Sequence, residues 1–107
     1  MDHQKLRIKK VISDYKIALK NLGINVERAV LFGSFANGNA RKDSDIDLII
    51  VSEDFKKMNL RQRLEVLGIA AVRIMQPIEA KGYTLKEINS SSKPKFLSHI
   101  LKIGMGV

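Results

Sequence analysis

The chain contains no cysteine and no tryptophan, only two prolines and two histidines, and aromatic residues make up 6% of it. Without cysteine there is no disulfide framework, no thiolate zinc site and no cysteine nucleophile. The two histidines, His3 and His99, stand near opposite ends, which leaves no basis for a His-rich metal site. Long apolar runs are missing too. The longest stretch free of polar side chains, Val66 to Val72, is far shorter than the roughly 20 residues of a membrane span. Lys5, Arg7, Lys9, Lys10 and Lys16 interrupt the apolar residues of the N-terminal region, so no signal-peptide core forms there. The expected setting is the cytoplasm, with no membrane.

What is present fits one soluble domain over residues 1–107 with a modest core: 45% hydrophobic residues and 28% charged. The formal net charge is +8, and it is uneven. Residues 1–30 carry +4 and residues 61–107 carry +5, while residues 31–60 carry −1. A basic chain with an acidic centre suggests an anionic partner and a place where carboxylates are needed. Charge alone is equally the mark of a lysine-rich solvated surface.

Periodicity places the elements. Ile8, Val11, Ile12, Tyr15, Ala18, Leu19 and Leu22 recur at helical spacing and predict a helix over about 3–22, stopped by Gly23. Arg28 to Phe32 reads as a buried strand that ends at Gly33. Residues 33–44 are small and polar, a loop with room for one helical turn. Asp45 to Ser52 is the strongest strand signal. Asn59 with Gln62 opens a helix that runs to about Met75, Pro77 closes it, and Ile78 to Tyr83 is the next strand. Thr84 and Glu87 form a second capping box, and Phe96 to Ile103 predicts a last helix before a Gly104/Gly106 tail. The expected class is α/β (α+β): a small mixed sheet of three to four strands, helices mainly on one face.

Three features carry chemistry. Gly33-Ser34 follows a strand directly, where a turn can aim backbone N–H groups and a hydroxyl at a phosphate. It is neither a Walker loop nor a dinucleotide fingerprint, and alone it is equally a tight turn. Asp45 and Asp47 sit two apart on a strand and so project from one face, about 7 Å apart. Such like charges repel unless a hard divalent cation, which takes oxygen ligands, lies between them. A solvated strand end is the plainer alternative. Glu79, between Ile78 and Ala80, adds a third carboxylate if its strand neighbours the aspartate strand, and otherwise reads as an exposed edge residue.

The string LFGSFANGNARKDSDIDLIIV, residues 31–51, resembles the nucleotidyltransferase signature: Gly-Ser, a nearby Gly, then Ser-Asp-x-Asp-Leu. The chain is similar to the minimal nucleotidyltransferases of the DNA polymerase β superfamily, and the order of elements fits over most of its length. The resemblance implies a polymerase β palm-like fold and metal-dependent transfer of an NMP group from an NTP, ATP first, with release of pyrophosphate. It implies that Gly33 and Ser34, with Gly38, Ser44 and Arg41, bind the nucleotide phosphates. Asp45, Asp47 and Glu79 would be the catalytic and metal-binding acids, holding two Mg²⁺ ions or Mn²⁺ in their place. Arg41 and Lys42 can reach phosphates or simply belong to a solvated loop. Two positions depart from the family pattern: Asn37 stands where relatives often carry Arg, and the third acid is Glu rather than Asp.

The short length leaves no room for a separate acceptor-binding domain, which suggests a homodimer or a partner chain. The resemblance also implies a second reading, an antitoxin-like module that pairs with a small helical protein of the HEPN type. A third, an RNA-binding accessory driven by charge, lacks the aromatic pattern of RNA-binding sheets.

Overall fold

The computed structural model describes residues 3–41 and 44–107. The chain runs α1 (His3–Asn21), β1 (Arg28–Phe32), α2 (Ser34–Asn37), β2 (Ile46–Val51), a 3₁₀ turn (Glu53–Phe55), α3 (Leu60–Arg73), β3 (Ile78–Tyr83), α4 (Leu85–Ile88), α5 (Lys95–Ile103) and β4 (Met105–Gly106). The expected class holds: one mixed sheet ordered β3-β2-β1-β4, with helices packed against it.

Strand β2 is central and explains the layering. Ile46, Leu48 and Ile50 join Ala29, Leu31 and Ala80 on one face, under the apolar sides of α1 and α3. Ile49 and Val51 point the other way, with Val30, and are covered by Ile88, Leu97 and Ile100 of α4 and α5. A strand buried on both faces reads as a continuous apolar run, and Ile46–Val51 does except at Asp47. The long helices share one face, as expected, while the short C-terminal helices seal the second. Tyr15 ties the layers together: fully buried, it donates its hydroxyl to the Leu67 carbonyl at 2.8 Å. Burial pushes that phenol far above its ordinary pKa, so it stays protonated.

Both capping boxes form, Asn59 with Gln62 at the start of α3 and Thr84 with Glu87 at α4. The tail holds a short strand. Gly104 passes so close to Val30 and the Ile100 carbonyl that a side chain there would collide with both. This lets Met105–Gly106 pair antiparallel with Val30 and Leu31. With β4 on one edge, the other edge of the sheet is β3. Its connection to β2 through α3 makes the pair parallel, and that register positions the site.

Candidate functional site

The C-terminal end of β1 meets the N-terminal ends of β2 and β3. In the antiparallel register Phe32 faces Asp47, and in the parallel register Asp47 faces Glu79. Paired positions on neighbouring strands share a face and stand about 4.8 Å apart, so Asp47 and Glu79 project side by side. Asp45 lies two residues earlier, exposed and just before the strand begins. Asp47 and Glu79 therefore share one face of the sheet, with Asp45 at its entrance.

Burial raises the Asp47 carboxyl above the ordinary aspartate range, the charges of Glu79 and Asp45 raise it further, and Lys81 opposes them. Among the described residues, however, no three acidic or histidine side chains are gathered closely enough to hold a metal ion. The donor set is all oxygen and carries excess negative charge, which is the chemistry that suits Mg²⁺.

The glycine turn abuts this cluster. After β1 the backbone swings through Gly33 at φ 74° and ψ −154°, a region essentially confined to glycine, and enters the single turn of α2. A Cβ on Gly33 would fall on Asp47 Oδ2. Glycine is therefore required twice here, by conformation and by the carboxylate packed against its Cα. Ser34 is the first residue of α2; no side chain caps that turn, and the Ala36 and Asn37 N–H groups donate to the Gly33 carbonyl at 3.1 and 3.2 Å.

The other predicted phosphate ligands lie in the loop that follows. Gly38 ends α2 in the left-handed conformation at φ 80° and borders a groove against α1. The Ser44 hydroxyl accepts the Arg41 N–H at 2.8 Å, and Arg41 is exposed. Asn37 caps its own turn by accepting the Asn39 N–H at 3.2 Å. Lys42 and Asp43 lie outside the described residues.

Sequence reasoning missed one residue. Lys81 follows Glu79 by two on β3 and so shares its face, which alternation alone would have revealed. It acts electrostatically on Asp47 and also lies 4.6 Å from the centre of the Phe96 ring.

The charge conflict at Asp47 has a testable consequence. A carboxyl whose folded pKa is raised binds its proton more tightly in the folded state, so its ionised form costs stability above that pKa. Asp47→Asn is expected to raise Tm at pH 7 in EDTA. The gain should shrink on acidification toward the unfolded value of about 3.9, as the wild-type carboxyl takes up its proton. Thermal melts across pH check this. A variant less stable than wild type at pH 7 would mean that the carboxylate is satisfied rather than strained.

Similarities to known proteins fall on the same ground. Residues 7–105 match the family described as Polymerase beta, Nucleotidyltransferase. No curated protein matches the chain. Among solved structures, a toxin–antitoxin with AMP-PNP shares the fold at a TM-score of 0.59, with 20% identity over 86% of this chain and 68% of that one. A Sulfolobus solfataricus protein proposed to be a nucleotidyltransferase superposes at a TM-score of 0.50, with 26% identity over 75% of each chain. The described residues include no helix long and apolar enough to cross a membrane. With the family match spanning nearly the whole chain, and the glycine turn and paired aspartates of its signature packed together, the chain belongs to the polymerase β nucleotidyltransferase family.

Proposed function

We propose that this chain transfers an NMP group from an NTP, ATP first, to an acceptor that is a protein, an RNA or a small molecule, releasing pyrophosphate. The observation that carries the reading is the contact between Gly33 and Asp47, which sets the glycine turn against an acid that neighbours Glu79. Asp45, Asp47 and Glu79 are the residues that would hold Mg²⁺, or Mn²⁺ in its place. The metal would neutralise the charge that otherwise keeps a triphosphate away from three carboxylates, and would stabilise the leaving pyrophosphate. The backbone of Gly33 and Ser34 orients the triphosphate, and the Ser34 hydroxyl is within the same turn. Lys81 places a cation beside the acids, where it limits their net charge before substrate arrives. Positioning and charge neutralisation dominate such chemistry, so the absence of a cysteine or histidine at the site is no obstacle.

A second reading is favoured by one neighbour, the toxin–antitoxin with AMP-PNP. On that view the chain is an antitoxin-like module bound to a small helical partner of the HEPN type, or to a second copy of itself. Exposed apolar side chains on and just after α3, with Val72 at 75% and Met75 at 87% exposure, are the kind of surface that a partner covers.

Calorimetric titration of ATP with Mg²⁺ into wild type and Asp45→Ala/Asp47→Ala tests the first reading. Binding is expected for wild type only with Mg²⁺ and is expected to disappear in the double variant. No metal-dependent binding by the wild type would overturn it. Labelled NTP incubated with the protein in cell extract then identifies the acceptor, and binding without transfer would shift the balance to the antitoxin-like reading.

A further inference from the structure

A groove of about 720 Å³ runs along α1, between that helix, α2 and the edge strand β4. Its deep side is apolar, lined by Ile8, Ile12 and Leu31, all of them buried. Its lips are apolar too, and there the side chains stand open: Leu6 is 49% exposed, Met105 43% and Val107 38%. Apolar surface that continues from a buried floor to exposed lips marks a place of interaction, whereas single exposed apolar residues do not. None of Asp45, Asp47, Glu79 or Lys81 lines this groove, so it is separate from the acids.

The rim carries charge of one sign. Lys5, Lys9 and Lys16 border the groove, and among the described residues no carboxylate side chain lines it. Spaced four and seven residues apart, the three lysines fall on one side of α1 and form a stripe about 16 Å long. Lys16 donates to the Val107 carbonyl at 2.7 Å, which leaves two of its three N–H groups for a ligand. Charge spread over such a length selects among occupants. A single-headed amphiphile such as a fatty acid meets one lysine, not three. A nucleic-acid strand has the phosphates but would set polar sugars and base edges on an aliphatic floor. An added β-strand would find only two residues of β4 to pair with. A helix beside α1 satisfies both features, with its apolar face on the floor and acids at the same spacing opposite the lysines. This chain has no such helix to lend to a second copy. In the described residues α3 sets Arg61, Arg63 and Arg73 against Glu65 alone, and α5 has Lys95 and Lys102 with no acid.

We propose that this groove docks an acidic amphipathic helix of another protein, its apolar side chains against Ile8, Ile12 and Leu31 and its carboxylates at Lys5, Lys9 and Lys16. The assignment stands whichever of the two readings above holds, and it concerns a surface other than the exposed side of α3. The groove is also lined by Phe35 and Ala36 of α2, the turn entered through Gly33, so the docked helix lies against that turn without reaching the acids. Charges on the rim speed association and make it sensitive to salt, while the apolar floor sets how long the helix stays.

The test is fluorescence anisotropy with two labelled synthetic helices of about 18 residues, long enough for an isolated helix to be populated. Both carry leucine on one face; one bears glutamate on its flanks and its twin bears lysine at the same places. Wild type is expected to bind the glutamate helix and not the twin, with an affinity that falls as salt rises. Lys5→Glu/Lys9→Glu, at exposed positions outside the core, is expected to weaken that binding about tenfold. The same variant should gain binding of the lysine twin, a reversal that misfolding cannot produce. Leu6→Ser, which removes apolar surface from the lip, should weaken the glutamate helix about fivefold. Methyl NMR then locates the contact, with shifts expected at Ile8, Ile12 and Leu31. Shifts at Leu64 and Val72 in their place would put the helix on α3 and overturn the proposal. So would no binding of the glutamate helix, or equal binding of the twin by wild type. Equal competition by sodium laurate, by a single-stranded oligonucleotide or by polyglutamate would overturn it too, since each lacks either the spread of charge or the apolar face.

Discussion

Replacing Arg63 with methionine is expected to cost about 3 kcal/mol of folding stability, a large share of what a domain of this size possesses. The side chain leaves α3 and is only 12% exposed. Its guanidinium uses every branch: Nε donates to the Met58 carbonyl at 3.0 Å, Nη2 to the Phe55 carbonyl at 2.8 Å, and Nη1 to the Gly82 carbonyl at 3.2 Å and to Glu87 Oε1 at 2.7 Å. It also lies 5.7 Å from the centre of the Phe55 ring. One residue thus fastens the 3₁₀ turn, α3, β3 and α4 to one another. Methionine would keep the apolar stem but abandon three carbonyls and a carboxylate.

Each net hydrogen bond contributes about 1 kcal/mol, and those to a charged group more, but water can serve some of the orphaned carbonyls. The sum is accordingly near 3 kcal/mol rather than twice that, and Tm should fall by roughly 15 °C. Urea denaturation and thermal melts read it directly. A loss below about 1 kcal/mol, the range of an exposed ion pair, would show that the network is decorative. The pH dependence offers a second check. Burial alone would raise the Glu87 carboxyl, yet hydrogen bonds from Arg63 and Thr84 overrule it and hold the carboxyl below the usual glutamate range. A depressed folded pKa adds stability above the unfolded value of about 4.3, and that stability is lost as pH falls through the folded one. In Arg63→Met this acid-sensitive increment should diminish.

Arg63 also marks where sequence reasoning stops. In the sequence it is one arginine on an amphipathic helix, and its partners are scattered from Phe55 to Glu87. No local period encodes a side chain that gathers distant carbonyls. The elements themselves were legible, because α1, α3 and β2 declare themselves through spacing and the caps through fixed offsets. Asp45 and Asp47 were assigned to one face by alternation alone. The pairing of Asp47 with Glu79 was conditional on strand order, and strand order depends on α3 carrying the chain across to a parallel neighbour. Gly38 and Ser44 were attached to the phosphate site by likeness to a motif. In the fold Gly38 ends α2 in the left-handed conformation, and the Ser44 hydroxyl accepts the Arg41 N–H. The two-residue strand at Met105 was invisible for another reason, since so short a segment pairs only because Gly104 allows close approach to β1.

Gly33→Ala is expected to damage stability and the proposed transfer together, and the two effects separate by design. Alanine at φ 74° and ψ −154° enters a backbone region that L side chains avoid, at a cost of about 1–3 kcal/mol. Its methyl would also fall on Asp47 Oδ2, so the aspartate must rotate away or the turn must move. Either response displaces the acid relative to the turn that would hold the triphosphate. Misplacement of about 1 Å can lower a rate about 100-fold, so transfer should drop by at least that factor while ATP binding weakens less. The Asp47→Ala background isolates the steric part. With the carboxylate gone, only the backbone strain remains, and Gly33→Ala should cost about 1 kcal/mol less there than in wild type. Chemical denaturation of the four proteins of this cycle measures that coupling. Equal costs in both backgrounds would mean that the carboxylate yields freely to the methyl. The contact would then no longer explain why this turn and this aspartate form one site.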